Sequence, residues 1–373
     1  MLKKIKINKK LLKQLDFITI LTVIILGIFG SINIYSATHL NCGNYYLKSQ
    51  LIGIAAGMVI IYLVLIPDYA IVKRYANIIY SFGVFLLILN CLPMFKSTVN
   101  GASSWIKIGP VSMQPSEFAK VGIIIMLAKE LDDMEGNINN LKNFMKLTAY
   151  AALPMILIVT QPDMGMMMVC FFIVLGIYIV AGLDFKIIGG GLAILTGLIC
   201  IVWNSPIMQT YWKTRLLSFL DPDADPLGAG FQLSQSKLAI GSGGILGKGF
   251  LKGSLTTGGF IPEAHTDFIF SVIGEEWGLI GALFALMLYA IIIYRLIKIA
   301  KNSKDIFGTI VSVGLIATML FSILQNIGMT IGIMPITGIT LPFLSYGRSS
   351  MLTAFMSIGI VLNIGMRRKK ISF

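Results

Sequence analysis

Long apolar runs alternate with short polar, glycine-rich or charged turns along the whole chain. They predict ten helices, at roughly 17–37, 47–66, 77–95, 117–129, 147–161, 164–182, 187–204, 267–298, 306–327 and 346–366. A helix needs about 20 apolar residues to cross a hydrocarbon core of about 30 Å, and most of these runs approach that length. Spans and tight turns use up most of the sequence, so a single polytopic membrane domain over 1–373 is expected, with no room for a separate soluble domain. The expected fold class is an all-α integral membrane protein of about ten transmembrane helices, with one large loop, 205–266, before the eighth.

Composition agrees. The 373 residues are 56% hydrophobic and only 13% charged, whereas a soluble domain carries about a quarter charged residues. The start MLKKIKINKKLLKQLD is basic and precedes an apolar run too long for a signal peptide, so 1–16 is expected to remain as a cytoplasmic tail. With both termini inside, twenty of the 30 basic residues fall in inside segments, as the positive-inside rule requires. The net charge of +13 is then a topology signal with some attraction to anionic lipid, and nucleic acid is not an expected partner. Segment 205–266 and the loop 100–117 face outward, where nucleotide cofactors are not normally available. Cys42, Cys91, Cys170 and Cys200 lie far apart, with no zinc-like spacing.

Segment 205–266 opens on IMQTYWKTRLLSFL, where Trp212, Leu216, Leu217 and Phe219 oppose Lys213 and Arg215. That is the pattern of a helix lying in the interface. DPDADP follows as a turn cluster, and FQLSQSKLAI as a second amphipathic piece. GSGGILGKGF fails the Walker pattern at Ser242 and Gly249. Its glycines either make a tight turn at the membrane surface or, with Lys248 and Lys252, offer backbone N–H groups to an anion.

Ionisable residues near membrane depth are costly and mark function by default. Glu117 and Lys120 share one helix face, as a structural ion pair or a functional one. Asp163, in QPDMG, is placed to cap the next helix, to serve chemistry, or both. Glu263, His265 and Asp267 stand at the mouth of the eighth span, with Glu275 and Glu276 about two turns deeper.

GASSWIKIG, QPSEFAK, QPDMG, RLLSFLDPDADPLGAGFQLSQSKLAIGSGG, PEAHTDFIFSVIGEE and NIGMTIGIMPITGITLPFLSYG, in this order, resemble the SEDS proteins (shape, elongation, division and sporulation). HTDF, KGFLKG and GMTIGIMP are similar to the RodA branch. The likeness runs essentially end to end. It implies peptidoglycan glycosyltransfer: polymerisation of lipid II at the outer face of the cytoplasmic membrane, for elongation and cell shape. The implied partners are lipid II, the nascent lipid-linked glycan, a class B penicillin-binding protein acting as transpeptidase, and the elongation machinery. The family's essential outer-loop aspartate corresponds to Asp267, its outer-loop tryptophan to Trp105, the Glu and Lys of PSExxK to Glu117 and Lys120, and the Asp of QPDxG to Asp163. One departure is visible: SYGRSS stands where the family reads SYGGSS, which puts Arg348 in place of a glycine.

The implied reaction joins the 4-hydroxyl of one GlcNAc to C1 of a MurNAc and expels an undecaprenyl diphosphate. A sugar hydroxyl needs a base, worth about 10²–10⁴ in rate, and Asp267 is the candidate. The leaving diphosphate needs cations rather than a proton; the candidates are Lys120, Lys213, Arg215 and Lys237, with Lys248 and Lys252 behind. Magnesium or manganese could share that task through Glu117, Asp163 or Glu263, although no compact acidic cluster is legible. Trp105 would stack on a sugar or anchor at the interface. His265 would assist Asp267 as a second base or by hydrogen bonding. Glu275 and Glu276 would hold their helix to its neighbours. The rival readings are a lipid II flippase and a scaffold for a transpeptidase; no SxxK nucleophile motif suits transpeptidation by this chain itself.

Overall fold

The computed structural model describes residues 9–92, 96–99, 102–108, 111–203, 205, 210–221, 225–226 and 228–368. Residues 1–8 and 369–370 of the basic termini, and 222–224 of the DPDADP cluster, lie outside these.

A short helix α1 (Lys9–Leu12) leads into α2 (Phe17–Cys42) and α3 (Tyr45–Leu65). Next come α4 (Tyr69–Arg74) and α5 (Ala76–Cys91). Three short antiparallel strands, β1 (Lys96–Val99), β2 (Ala102–Ile108) and β3 (Val111–Met113), then form a sheet in that order. The all-helical expectation missed this sheet; its β2 reads ASSWIKI, a small-polar and β-branched stretch that pleats readily. The chain continues through α6 (Pro115–Asp133), α7 (Leu141–Val159), α8 (Met164–Val180) and α9 (Phe185–Trp203). The large loop contributes α10 (Thr210–Leu220), α11 (Ala229–Gly243) and α12 (Ser254–Thr257), and the chain ends with α13 (Ile269–Lys301), α14 (Ile306–Ile331) and α15 (Arg348–Met366).

Helices therefore form at all ten expected places, with ends displaced by a few residues. Starts follow local chemistry. Asp16, Asp68, Asn140, Asp163 and Asp305 each accept a backbone N–H of the first turn, and Pro115 opens α6 where its missing N–H costs nothing. Six helices, α2, α3, α7, α13, α14 and α15, are long and apolar enough to cross a membrane. The helices α5 and α8 and most of α9 are apolar but shorter.

The tenth, α6, carries charges near both ends yet is buried over almost its whole length. It sits among α5, α7, α8, α14 and α15. Its contact with α5 is close because glycines meet backbone: a Cβ on Gly83 would lie 3.0 Å from the Ala119 Cα, and one on Gly122 3.3 Å from the Tyr80 Cα. Where lipid is as apolar as leucine, such small-residue contacts are what hold helices together.

Charged pairs gather at one end of the bundle: Lys73 with Asp132 and Asp133, Lys129 and Lys146 with Glu130, Arg295 with Asp16, and Arg367 with Asp68. The helices α10, α11 and α12, the sheet and the start of α13 lie at the other.

Candidate functional site

The glycine-rich turn fixes how α13 enters the bundle. Gly278 breaks the helix with φ 63°. The turn 244–249 fills the gap: Leu279 and Ile280 donate N–H bonds to the carbonyls of Gly244 and Ile245, while Lys248 and Gly249 donate theirs to Glu275 and Glu276. The Glu275 carboxylate accepts from the Lys248 amine at 2.7 Å, the Leu255 and Thr256 N–H groups at 2.9 Å, and the Thr256 hydroxyl. Glu276 accepts from the Ser36 hydroxyl. Glu275 thus latches the loop to α13 and Glu276 ties α13 to α2, which holds the helix to its neighbours as expected. The anion-cradle reading of GSGGILGKGF is corrected: the N–H groups of Gly247, Lys248 and Gly249 and the Lys248 amine are spent inside the protein.

Ahead of α13, the N–H groups of Thr266, Asp267 and Phe268 converge on the Glu263 carbonyl. Glu263 takes φ 52°, a left-handed conformation rare for a non-glycine residue, of the kind that clusters at functional sites. Asp267 consequently lies in a turn two residues before the helix, rather than in its first turn as expected. Asn326, buried in α14, donates to the Asp267 carbonyl at 2.9 Å and to the Ile339 carbonyl at 2.8 Å, so the α14–α15 connection and the aspartate share one support.

Asp267 opens onto a cavity of about 500 Å³. Of the residues nominated from sequence, Trp105, Glu117, Lys120, Asp163, Arg215, Glu263 and Asp267 all line it. They come from β2, α6, the α7–α8 turn, α10 and the entry to α13. Lys120 and Glu117 form a buried pair at 2.8 Å, and the Thr353 hydroxyl also donates to Glu117. Asp163 caps α8 through the Met166 N–H at 3.0 Å and accepts from Gln114 at 2.9 Å. Capping and cavity lining coexist, and burial pushes its carboxyl above the usual carboxylate range. The helix α10 forms as predicted, but Arg215 is not on a solvent face: its Nη1 donates to the Ile336 carbonyl at 3.1 Å, beside the cavity. Leu217 and Leu220 are exposed instead.

Asp267 has the electrostatics of a base near neutrality. Loss of bulk water pushes its carboxyl up to about 6, reinforced by the Glu263 charge and opposed by Arg215 and a Thr266 hydrogen bond.

Five nominated residues do not line the cavity. Lys248 is spent on Glu275, and Lys252 is exposed. Lys237 is exposed on α11, its aliphatic end against Gly332. Lys213 is partly buried on α10, away from the lining. The His265 ring packs against Tyr46 at 4.5 Å and Tyr346 at 5.8 Å. Burial holds its pKa below the ordinary value, and the ring packs on these tyrosines outside the cavity lining. Sequence reasoning missed Gln114, Tyr45, Tyr46, Asn326 and Thr353; the polar Asn326 and Thr353 inside apolar helices were the available signal.

Among the described residues no three His, Cys, Asp or Glu gather as a metal site. The family described as cell cycle proteins, which unites FtsW, RodA and SpoVE, matches residues 13–370. The chain belongs to this family. It is 34% identical to the Escherichia coli K12 peptidoglycan glycosyltransferase MrdB over 96% of this chain and 95% of that one. It is also 34% identical to stage V sporulation protein E of Bacillus subtilis, covering 94% and 96%. The peptidoglycan glycosyltransferase RodA of Treponema pallidum is 32% identical, covering 95% and 98%. Among solved structures, a chain from a study of polymerisation and crosslinking by a peptidoglycan synthase complex superposes with a TM-score of 0.82 at 28% identity, covering 94% of this chain and 97% of that one. The Thermus thermophilus rod shape determining protein RodA gives 0.71 at 26%, covering 95% and 98%.

Proposed function

We infer that this chain is a RodA-like peptidoglycan glycosyltransferase, and we propose that Asp267 is its general base. One observation carries the assignment: a carboxylate with its pKa raised to about 6 opens onto a cavity that also holds Arg215, Lys120 and Trp105. A base works best with a pKa near the operating pH. In the proposed step the acceptor sugar's 4-hydroxyl loses its proton to Asp267 while its oxygen bonds to C1 of the donor. The C1–oxygen bond to the diphosphate breaks, and the electron pair leaves with the diphosphate. A single displacement inverts C1. Arg215, with its fork of donors, would stabilise the departing charge, with Lys120 adding what its pairing with Glu117 leaves.

A magnesium or manganese ion, considered above as sharing the diphosphate's charge, has no protein-only cage among the described residues. Such an ion would have to draw further ligands from the substrate's diphosphate, and no step is routed through it. We further propose ten membrane crossings, cytoplasmic termini, an extracytoplasmic cavity mouth and a class B penicillin-binding protein as partner. The charged pairs at the opposite end of the bundle support that orientation.

The test is polymerisation of labelled lipid II by the purified chain with its presumed transpeptidase, read as glycan length, with wild type beside Asp267→Ala. Long glycan from wild type and none from a folded variant is expected. No glycan from either, in a folded and partnered preparation, sinks the reading and favours a flippase.

A further inference from the structure

The cavity mouth holds a cation that the glycosyltransfer scheme above leaves unused. Arg348 opens α15, is exposed, and lines the cavity together with Asp267. Its Nη2 donates to the Tyr45 hydroxyl at 2.8 Å and its Nε to the Tyr346 hydroxyl at 3.2 Å. Both acceptors are hydroxyl groups, so the side chain is oriented without an ion pair. Among the described residues no carboxylate stands within ion-pair distance of it. Lys120, Lys129, Lys248, Arg295 and Arg367 each have one. A guanidinium has five N–H donors, and only two are taken here.

Its mounting is rigid. The Tyr346 N–H donates to the His265 carbonyl at 2.9 Å, and its hydroxyl lies 3.1 Å from the Ser49 hydroxyl. The Tyr346 ring packs edge-on against Tyr46 at 4.9 Å, and Tyr46 against Tyr45 at 5.3 Å. The same α14–α15 connection approaches Asp267, since a Cβ on Gly338 would lie 3.4 Å from the Asp267 Oδ2. One stretch of backbone therefore sets both the base and the guanidinium.

We propose that Arg348 is a substrate-positioning residue that grips an oxyanion of the lipid-linked substrate at the cavity mouth. This rests on the glycosyltransferase reading. The oxyanion belongs to the diphosphate or to a carboxylate of the peptide stem, both of which suit a guanidinium fork.

The experiment is steady-state polymerisation of lipid II by the full chain with its presumed transpeptidase, comparing wild type, Arg348→Gly, Arg348→Gln and Arg348→Lys. The first two should raise KM about five- to thirty-fold, the range of a charged hydrogen bond discounted for exposure. Their kcat should change by less than about threefold, and lysine should restore part of the KM. Inhibition by added undecaprenyl diphosphate reads out the source. If Arg348→Gln weakens it by the same factor, the diphosphate is gripped. If only lipid II with free peptide carboxylates responds, and not lipid II with those carboxylates amidated, the stem is gripped. Unchanged KM in Arg348→Gly and Arg348→Gln, with melting temperatures equal to wild type, overturns the proposal. Should wild type make no glycan, the glycosyltransferase reading fails separately. Direct binding of undecaprenyl diphosphate and of the amidated and free lipid II forms then decides: equal affinities with and without Arg348 overturn it, and a weakening of either supports it.

Discussion

Replacing Asp267 by asparagine keeps the shape of the side chain and removes its basicity. The expected loss in polymerisation rate is about 10²–10⁴, the range that a positioned base supplies. The wild-type pH profile gives an independent reading. With the carboxyl at about 6, roughly a tenth of the protein holds an ionised base at pH 5 and nearly all of it at pH 7.5. The rate should therefore rise about tenfold across that interval and then level. Stability should move the opposite way. A carboxyl whose pKa is raised on folding destabilises the folded state once ionised. That cost is absent below the unfolded value of 3.8, grows as pH rises and is complete above about 6. It is at most about 3 kcal/mol, less because the group faces the cavity. At pH 7.5, Asp267→Asn should melt no lower than wild type, and the gap should close below pH 4 or so. The assays are glycan synthesis across pH and thermal unfolding in detergent. A flat rate profile under conditions where the chemical step limits, or an asparagine variant retaining more than about a tenth of the rate, would refute the assignment.

Lys120→Ala should cost about 3–5 kcal/mol, because it leaves the buried Glu117 carboxylate without its cation. Glu117→Leu with Lys120→Met should recover the melting temperature but not polymerisation, and normal glycan from that double variant would reduce the pair to a structural role. Gly278→Ala should destabilise the fold by about 1–3 kcal/mol, since its φ is 63° and ψ −157° and a Cβ would meet the Gly247 nitrogen at 2.4 Å. Gly191→Ala on α9, with nothing near its Cβ position, should be neutral or slightly stabilising. Glu275→Ala, by freeing four donors of the 248–256 segment, should destabilise by about 3 kcal/mol and make the turn cleavable in limited proteolysis; an uncleaved, equally stable variant would argue against the latch.

The ten helices were legible because each apolar run is a local statement: composition and length alone require a helix. Helix starts were legible where Asp or Pro stands before a run. Seven candidate residues converge on one cavity although they come from five separate places in the chain; five were recognised by motif, and Arg215 and Glu263 were nominated by charge. Lys213, Lys237 and His265 were nominated by charge type and loop membership, and neither reveals where a side chain points. Arg215 and Lys213 are two residues apart on α10, yet only Arg215 reaches the cavity.

The sequence by itself determined the class, the helix positions and the family, since length, hydropathy and ordered motifs are properties of contiguous residues. Only the tertiary structure decided which charges remain available. The Lys248 amine and the N–H groups of Lys248 and Gly249 are consumed by the broken α13, whereas Arg348 is held by two tyrosine hydroxyls with no carboxylate in ion-pair distance among the described residues. Ion pairing, hydrogen-bond saturation and desolvation depend on what distant segments bring within a few ångströms. That is why the pKa of Asp267 required Glu263, Arg215 and the walls of the cavity.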